Sequence, residues 1–162
     1  MAAGKHRKLL DPGSRAPDFR LPRLDGGTAA LQEIVANGPA VIAFFKTTCP
    51  VCQLTFPFLE RIHKAGTLPV YAISQDDAED SREFNREFGL TLPTLLDSGR
   101  SGYPASNAFG ISSVPTVFLL ERDGGISRVI EGWSKREIEW LGGQAGVEVF
   151  RQGDNVPEWK PG

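Results

Sequence analysis

The sequence predicts an α/β protein in which helices cover both faces of a mixed β-sheet. Two observations support this fold class. Apolar runs rich in Val, Ile and Phe alternate with segments of helical periodicity in the first two-thirds of the chain, which is typical of strands joined by helices. The chain then closes with a hairpin and a last helix, so antiparallel strands must join the sheet. At 162 residues the chain has the size of one domain.

The first elements are a polar tail, a short hairpin and a buried strand. Residues 1–13 are expected to form a flexible tail before an ordered domain that spans 14–150. An Asp-Gly-Gly turn signal at 25–27 separates two short candidate strands. The run "PAVIAFF" at 39–45 is apolar at nearly every position, which is typical of a central strand covered on both faces.

Two helices and a second buried strand come next. Residues 50–65 place apolar side chains on one side of a predicted helix, and Pro57 inside it is expected to kink that helix. "LPVYAIS" at 68–74 predicts a strand. The segment 76–89 has acidic residues in its first turn and a glycine at its end, which predicts a further helix.

The last third of the chain predicts two strands in a hairpin, flanked by shorter elements. We expect a short strand at 92–97, a short helix at 103–110 and a hairpin centred on Asp-Gly-Gly at 123–125. "SKREIEWLGG", from residue 134, has Ser and Glu in capping-box spacing and predicts the final helix. Residues 151–162 are expected to form an irregular tail.

Composition argues against several classes of function. The net charge is −2 and the only basic run is "KHRK" at 5–8, so neither nucleic acid nor an anionic membrane is indicated as a partner. No apolar segment approaches the ~20 residues needed to cross a bilayer. The N-terminal residues lack the apolar stretch of a secretory signal, which predicts a cytoplasmic protein, or an exported one if a leader had been removed.

Both cysteines stand in "CPVC", between the first buried strand and the helix. A disulfide across so short a loop would add little stability, and a closed zinc site needs about four ligands, which two distant histidines do not complete. Cys49 lies where the helix begins, and Pro50 suits the first helical position. Free backbone N–H groups and the helix dipole should lower the pKa of Cys49, whereas Cys52, one turn later, should be more buried and less acidic. We therefore predict a redox pair in which Cys49 attacks and Cys52 resolves.

The order strand, Cys-x-x-Cys and helix resembles the thioredoxin superfamily. Pro57, five residues after Cys52, matches the proline inside the active-site helix of that superfamily, and Val-Pro-Thr at 114–116 resembles its cis-proline loop. The resemblance covers about residues 14–145. It implies a thioredoxin-like three-layer α/β/α sandwich with a mixed central β-sheet.

Three further stretches narrow the resemblance. "APDFRLPRLDGG" at 16–27 is similar to the N-terminal hairpin of the AhpC/TSA and TlpA/ResA-like proteins, and 49–59 is similar to the cysteine motif of the latter. Residues 73–97 resemble the strand–helix insert of the same group. These similarities imply an N-terminal β-hairpin and a central insert added to the thioredoxin-like fold.

The resemblance also implies a function. It is that of a thiol–disulfide oxidoreductase, which exchanges disulfides with protein substrates and is recycled by a reductase or oxidase. The enzyme would act as a monomer and use no cofactor or metal besides its two cysteines. Four residues would contact the substrate beside Cys49, namely Thr48, Pro50, Val114 and Pro115. The peptide bond between Val114 and Pro115 would be cis.

The sequence departs from the family at the positions whose side chains accept the proton of the second cysteine. The buried acid of thioredoxins falls on Ala43, and the glutamate of ResA-like proteins falls on Thr55. Bulk water, the Cys49 thiolate or a carboxylate from elsewhere in the fold could take the proton of Cys52. The sequence favours the first two, since no acidic residue lies near the motif along the chain.

Two other functions use the same cysteines. A thiol-dependent peroxidase of the peroxiredoxin type has threonine and proline where this chain has Lys46 and Ile42, which argues against strong peroxidase activity, although Arg128 could orient a peroxide. A copper- or haem-assembly module would be expected to surround the thiols with Met or His, but the only methionine is Met1.

Overall fold

The N-terminal hairpin is present in the computed structural model, which describes residues 8–162. Strand β1 (Arg20–Pro22) pairs antiparallel with β2 (Thr28–Ala30). A four-residue helix that the sequence did not predict, α1 (Leu31–Ile34), follows at once. It buries Leu31 and Ile34, the only two of its four residues that face the core.

A five-stranded mixed sheet forms the centre of the molecule, in the order β5-β4-β3-β6-β7. The first three of these strands run parallel to one another, and β6 is antiparallel to both β3 and β7. All six residues of the central strand β3 are buried, as its continuous apolar run predicts. The strands are β3 (Ala40–Phe45), β4 (Val70–Ser74), β5 (Thr94–Leu96), β6 (Thr116–Leu120) and β7 (Ile126–Glu131).

Helices cover both faces of this sheet, which confirms the three-layer prediction. Alternate side chains of β3 point to opposite faces, so each face has its own apolar core. Helices α2, α3 and α5 pack on one face, whereas α1 and α4 pack on the other. The helices are α2 (Pro50–Lys64), α3 (Ala78–Phe88), α4 (Pro104–Phe109) and α5 (Lys135–Gln144).

The predicted start and stop signals lie where these helices begin and end. Asp77 caps α3 by accepting a hydrogen bond from the backbone of Asp80, and Gly89 ends it with a φ of 64°. The side chain of Ser134 accepts from the backbone N–H of Glu137 at the start of α5. The insert, α3 followed by β5, lies at the β5 edge of the sheet. No helix in residues 8–162 is both long and apolar enough to cross a membrane.

Residues 8–13, part of the expected flexible tail, lie against the domain. Leu9 and Leu10 pack on the core face formed by α1 and α4, and the Leu10 N–H donates to the Phe109 carbonyl at 3.2 Å. The burial of this apolar pair accounts for the contact. Residues 1–7 of the expected tail lie outside the described part of the chain.

The last residues, 151–162, include a strand instead of being irregular throughout. Here they are called the C-terminal segment. Within it β9 (Trp159–Lys160) pairs antiparallel with β8 (Trp133–Ser134), a short strand that precedes α5. The indole N–H of Trp133 also donates to the carbonyl of Pro157 at 2.6 Å. The segment is therefore joined to the domain by side-chain and backbone bonds that local sequence patterns do not reveal.

Candidate active site

Cys49 occupies the junction between β3 and α2. Its backbone is extended (φ −86°, ψ 114°) and Pro50 is the first residue of the helix, as the sequence predicts. The sulfur accepts a hydrogen bond from the backbone N–H of Cys52 at 3.1 Å and so caps the helix. Both cysteines are free thiols in this structure.

The surroundings of Cys49 favour its thiolate. The hydrogen bond from the Cys52 side chain has the largest effect, and the backbone N–H groups of Cys52 and Val51 add to it. The positive charge of Lys46 acts in the same direction, while partial burial opposes it. Together they lower the pKa of Cys49 from 9.0 to about 6. Cys49 is therefore largely ionised at neutral pH and able to act as a nucleophile.

Cys52 lies in the opposite environment. Its side chain is 0% exposed, and this burial is the main cause that raises its pKa above the ordinary value. The hydrogen bond to Cys49 and the negative charges of Cys49 and Asp76 raise the pKa further. Cys52 therefore keeps its proton, while Cys49 is the partly exposed, reactive thiol.

The Val-Pro-Thr loop lies beside Cys49, and its Val114–Pro115 peptide bond is cis, as predicted. The Cys49 sulfur lies 3.5 Å from the carbonyl oxygen of Val114, to which it can donate when it is protonated. Thr48 and Pro50 are exposed on either side of Cys49. The residues predicted for the site thus come from the start of α2 and from the cis-proline loop, which meet at Cys49.

Two side chains that the sequence did not single out hold the loop in front of Cys49. The carboxylate of Asp76 accepts from the backbone N–H of Thr47 at 2.7 Å, and the Gln53 side-chain amide donates to the Thr47 carbonyl at 3.1 Å. Asp76 comes two residues after β4, which lies parallel to β3. Because the carboxyl ends of parallel strands meet at one sheet edge, this position could have been predicted as a neighbour of the motif.

A small open cavity of about 230 Å³ adjoins the cis-proline loop. Lys46 and Val114 line it next to the cysteine, and Tyr103, Ser106 and Asn107 line it on the side of α4. The cavity is lined largely by hydroxyl, amide and backbone groups. A polar side chain next to the cysteine of a bound substrate would fit there.

Arg128, which could have oriented a peroxide, has other partners. Its guanidinium forms a bidentate pair with Glu137 at 2.8 and 3.1 Å and lies 3.8 Å from the centre of the Trp140 ring. These contacts with α5 hold the side chain on that helix. The arginine of a peroxidase site therefore has no counterpart in Arg128.

Comparisons with known proteins agree with this geometry. The model of the AhpC/TSA family matches residues 12–129. The thiol–disulfide oxidoreductase ResA of Geobacillus kaustophilus is 30% identical over 132 residues, which cover 78% of this chain and 74% of the relative.

Solved structures show the same fold. A thiol:disulfide interchange protein from Bacteroides sp. superposes with a TM-score of 0.72 at 18% identity, covering 89% of this chain and 94% of the other. The thioredoxin domain of a thiol–disulfide oxidoreductase from Bacteroides vulgatus superposes with a TM-score of 0.69 at 20% identity, covering 76% and 91%. The fold around the two cysteines is thus thioredoxin-like.

Proposed function

Since the chain belongs to the AhpC/TSA family and is a thiol–disulfide oxidoreductase of thioredoxin-like fold, we propose that Cys49 and Cys52 exchange disulfides with protein substrates. The observation that carries the proposal is the contrast between the two thiols. Cys49 is partly exposed at the start of α2 with a lowered pKa, whereas Cys52 is buried behind it with a raised one. An attacking thiol and a resolving thiol need these two environments.

The exchange takes place in two steps. The Cys49 thiolate attacks one sulfur of the partner disulfide, that disulfide breaks, and its other sulfur leaves as a thiolate. Cys52 then loses its proton and attacks the Cys49 sulfur of the mixed disulfide. The partner is released as a dithiol and the Cys49–Cys52 disulfide remains. In the reverse direction the same steps pass a disulfide to the partner.

The cis-proline loop forms the substrate-binding side of the proposed site. Pro115 has no N–H, and Val114, half-buried beside Cys49, offers its backbone to an extended partner segment. Thr48 and Pro50 are exposed around the sulfur and would contact the same segment. Backbone pairing of this kind suits many partner sequences.

A monomer that acts on separate partner proteins suits the surface of residues 8–162. Among them, only Tyr103 and Trp159 are large hydrophobic residues with exposed side chains, at 39% and 61%. Two single side chains do not form the contiguous apolar patch that a permanent interface needs. The partners would be proteins with thiols or disulfides, together with a reductase or oxidase that recycles the pair.

Trapping the mixed disulfide tests the assignment of the two thiols. The Cys52→Ser variant should accumulate a covalent complex with a partner protein, because Cys49 attacks but nothing resolves it. The Cys49→Ser variant is the matched control and should form none. Complexes that form with Cys49→Ser and not with Cys52→Ser would reverse the roles.

Peroxide turnover tests the rival activity. Reduction of insulin disulfides should exceed thiol-dependent peroxide turnover by a wide margin, because Arg128 is held by Glu137 and because Lys46 and Ile42 replace the residues of a peroxidase motif. Equal or reversed rates would assign the protein to the peroxidases. Both assays use the same reduced protein, so differences in folding do not enter.

The redox state in cells tests the compartment. Thiols of cytoplasmic proteins are kept reduced. In a cytoplasmic protein, rapid acid quenching followed by alkylation should therefore find Cys49 and Cys52 as thiols. A disulfide at steady state would support an exported protein that oxidises its partners.

A further inference from the structure

The second step of the exchange needs a proton acceptor for Cys52. The two positions where related proteins have a carboxylate hold Ala43 and Thr55, both fully buried. Thr55 uses its hydroxyl to donate to the Val51 carbonyl at 2.7 Å. Neither side chain can take a proton from a thiol at neutral pH, so another group must do so.

The residue after Cys52 and a carboxylate meet at one residue of the loop that precedes Cys49. The Asp76 carboxylate accepts from the backbone N–H of Thr47 at 2.7 Å, and the side-chain amide of Gln53 donates to the Thr47 carbonyl at 3.1 Å. Consecutive residues are separated by only about 3.8 Å between their Cα atoms. Cys52 and the carboxylate therefore lie next to the same short loop, and the negative charge of Asp76 acts on Cys52.

We propose that Asp76 accepts the proton of Cys52 when Cys52 attacks the mixed disulfide. Only one oxygen of the carboxylate, Oδ2, is used by Thr47, and within residues 8–162 no hydrogen bond to Oδ1 is found. The backbone N–H of Asp76 donates to the Ser74 hydroxyl at 3.1 Å, which fixes the residue at the end of β4. The carboxylate thus has a free acceptor site and a fixed position.

The charges around Asp76 come from three elements. Lys46 follows β3, the two thiols belong to α2, and the acidic residues at the start of α3 come directly after Asp76 along the chain. The acidic residues at the start of α3 are Asp77, Glu79 and Asp80.

Resolution of the mixed disulfide begins with this proton transfer. The S–H bond of Cys52 breaks, the proton moves to Asp76, and the resulting thiolate forms the bond to the Cys49 sulfur. The bond between Cys49 and the partner breaks, and the partner sulfur leaves with the electron pair. Asp76 then returns the proton to the departing thiolate or to water.

This inference rests on the proposed function, and one reagent allows the inference and the function to be tested separately. A symmetric aromatic disulfide whose thiol product absorbs visible light reports both steps in a stopped-flow experiment. Its first coloured thiol is released when Cys49 attacks, and the second when Cys52 resolves. Absence of the first phase in the unmodified protein would refute the proposed function. The proposal on Asp76 concerns the second phase alone.

Two variants separate the role of Asp76 as a proton acceptor from its role in holding the loop at Thr47. Asp76→Asn keeps an oxygen that can accept from Thr47 but cannot take a proton, whereas Asp76→Ala loses both functions. We expect both variants to keep the first phase and to slow the second by at least about 10-fold at pH 7. In both variants the second phase should become steadily faster as pH rises, because hydroxide then removes the proton of Cys52. In the unmodified protein the rate of the second phase should change little around neutral pH.

Asp77→Asn is the matched control. It removes one negative charge from the next residue, and asparagine still caps a helix. Its second phase should equal that of the unmodified protein. A normal second phase in Asp76→Asn would overturn the proposal, even if Asp76→Ala were slow, since Asp76 would then only hold the loop. Equal slowing by Asp77→Asn would also overturn it, because the effect would be one of general charge.

Discussion

At the scale of single residues, Cys49 and Cys52 show how position alone separates two identical side chains. One turn of helix divides them, yet the pKa of Cys49 is lowered to about 6 and that of Cys52 is raised. Hydrogen bonds at the start of the helix explain the lowered pKa of Cys49, and burial explains the raised pKa of Cys52. Stabilising the thiolate of Cys49 favours the reduced state and makes the pair a stronger oxidant.

The thiol of Cys52 is the largest cause of the lowered pKa of Cys49, which a pair of variants can test. Replacing Cys52 by Ala removes the side-chain donor, so the pKa of Cys49 should rise from about 6 towards 9.0. Less thiolate is then present at pH 7, and alkylation of Cys49 should be slower there. Cys52→Ser keeps a donor and should raise the pKa less.

The measurement is the alkylation rate of Cys49 as a function of pH, followed by mass spectrometry. The inflection of the curve gives the pKa directly. An inflection that stays near 6 in Cys52→Ala would show that the backbone N–H groups and Lys46 suffice without the second thiol.

The sequence predicts part of the site at this scale, and the reason is local geometry. Cys49, Pro50 and Cys52 belong to one strand–helix junction, whose chemistry follows from neighbours along the chain. Asp76 is a neighbour only because β3 and β4 lie side by side. Its role depends on tertiary structure, which is why the sequence favoured water or the Cys49 thiolate as the acceptor.

At the scale of elements, the long periodic segments match the prediction, whereas one very short helix and two very short strands are not part of it. Strand β3 and helix α3 have clear patterns and defined ends. Helix α1 has four residues and strands β8 and β9 have two each. Elements of this length have almost no periodicity of their own, and they form because the surrounding structure provides partners.

The contact of the N-terminal residues with α4 can be measured through Gly110. This residue ends α4 with a φ of 74°, and a Cβ there would overlap the carbonyl oxygen of Lys8. Gly110→Ala should lower the free energy of unfolding by about 1–2 kcal/mol for the left-handed backbone. The overlap should cost about 1 kcal/mol or more in addition.

Gly89→Ala is the matched control for this prediction. Gly89 ends α3 with a φ of 64°, but a Cβ there would meet nothing within 4 Å. Urea unfolding should find Gly110→Ala less stable than Gly89→Ala. Equal stabilities would mean that residues 8–13 move aside at no cost.

At the scale of the whole molecule, the C-terminal segment connects distant parts of the fold. Arg61 of α2 pairs with Asp154 at 2.6 Å, and the Lys135 backbone N–H donates to the Glu158 carbonyl at 2.9 Å. The segment then reaches the cis-proline loop, where a Cβ on Gly162 would lie 2.7 Å from the carbonyl oxygen of Val114. The chain therefore covers one side of the loop that is proposed to bind substrates.

Removing residues 159–162 tests the effect of this cover. We expect faster exchange with an extended peptide disulfide, because more of the backbone around Val114 becomes free for pairing. Exchange with a small aromatic disulfide needs no such pairing and should not change. Both rates can be followed in the same stopped-flow assay.

Slower exchange with the peptide would contradict this expectation and would make the segment part of the binding surface. A full-length Trp159→Ala variant controls for the loss of the exposed ring, since it keeps the chain beside Val114. It should behave like the unmodified protein towards both disulfides.

The position of Gly162 against Val114 also bears on the direction from which a partner arrives. For an incoming polypeptide, the path along the cis-proline loop is closed at one end by Gly162 and is open at the other end, towards Tyr103. A straight segment that continues on both sides of its cysteine would meet this barrier. We therefore expect the enzyme to prefer cysteines near chain ends or in sharply bent loops, so that selectivity comes from the path of the partner's backbone more than from its sequence.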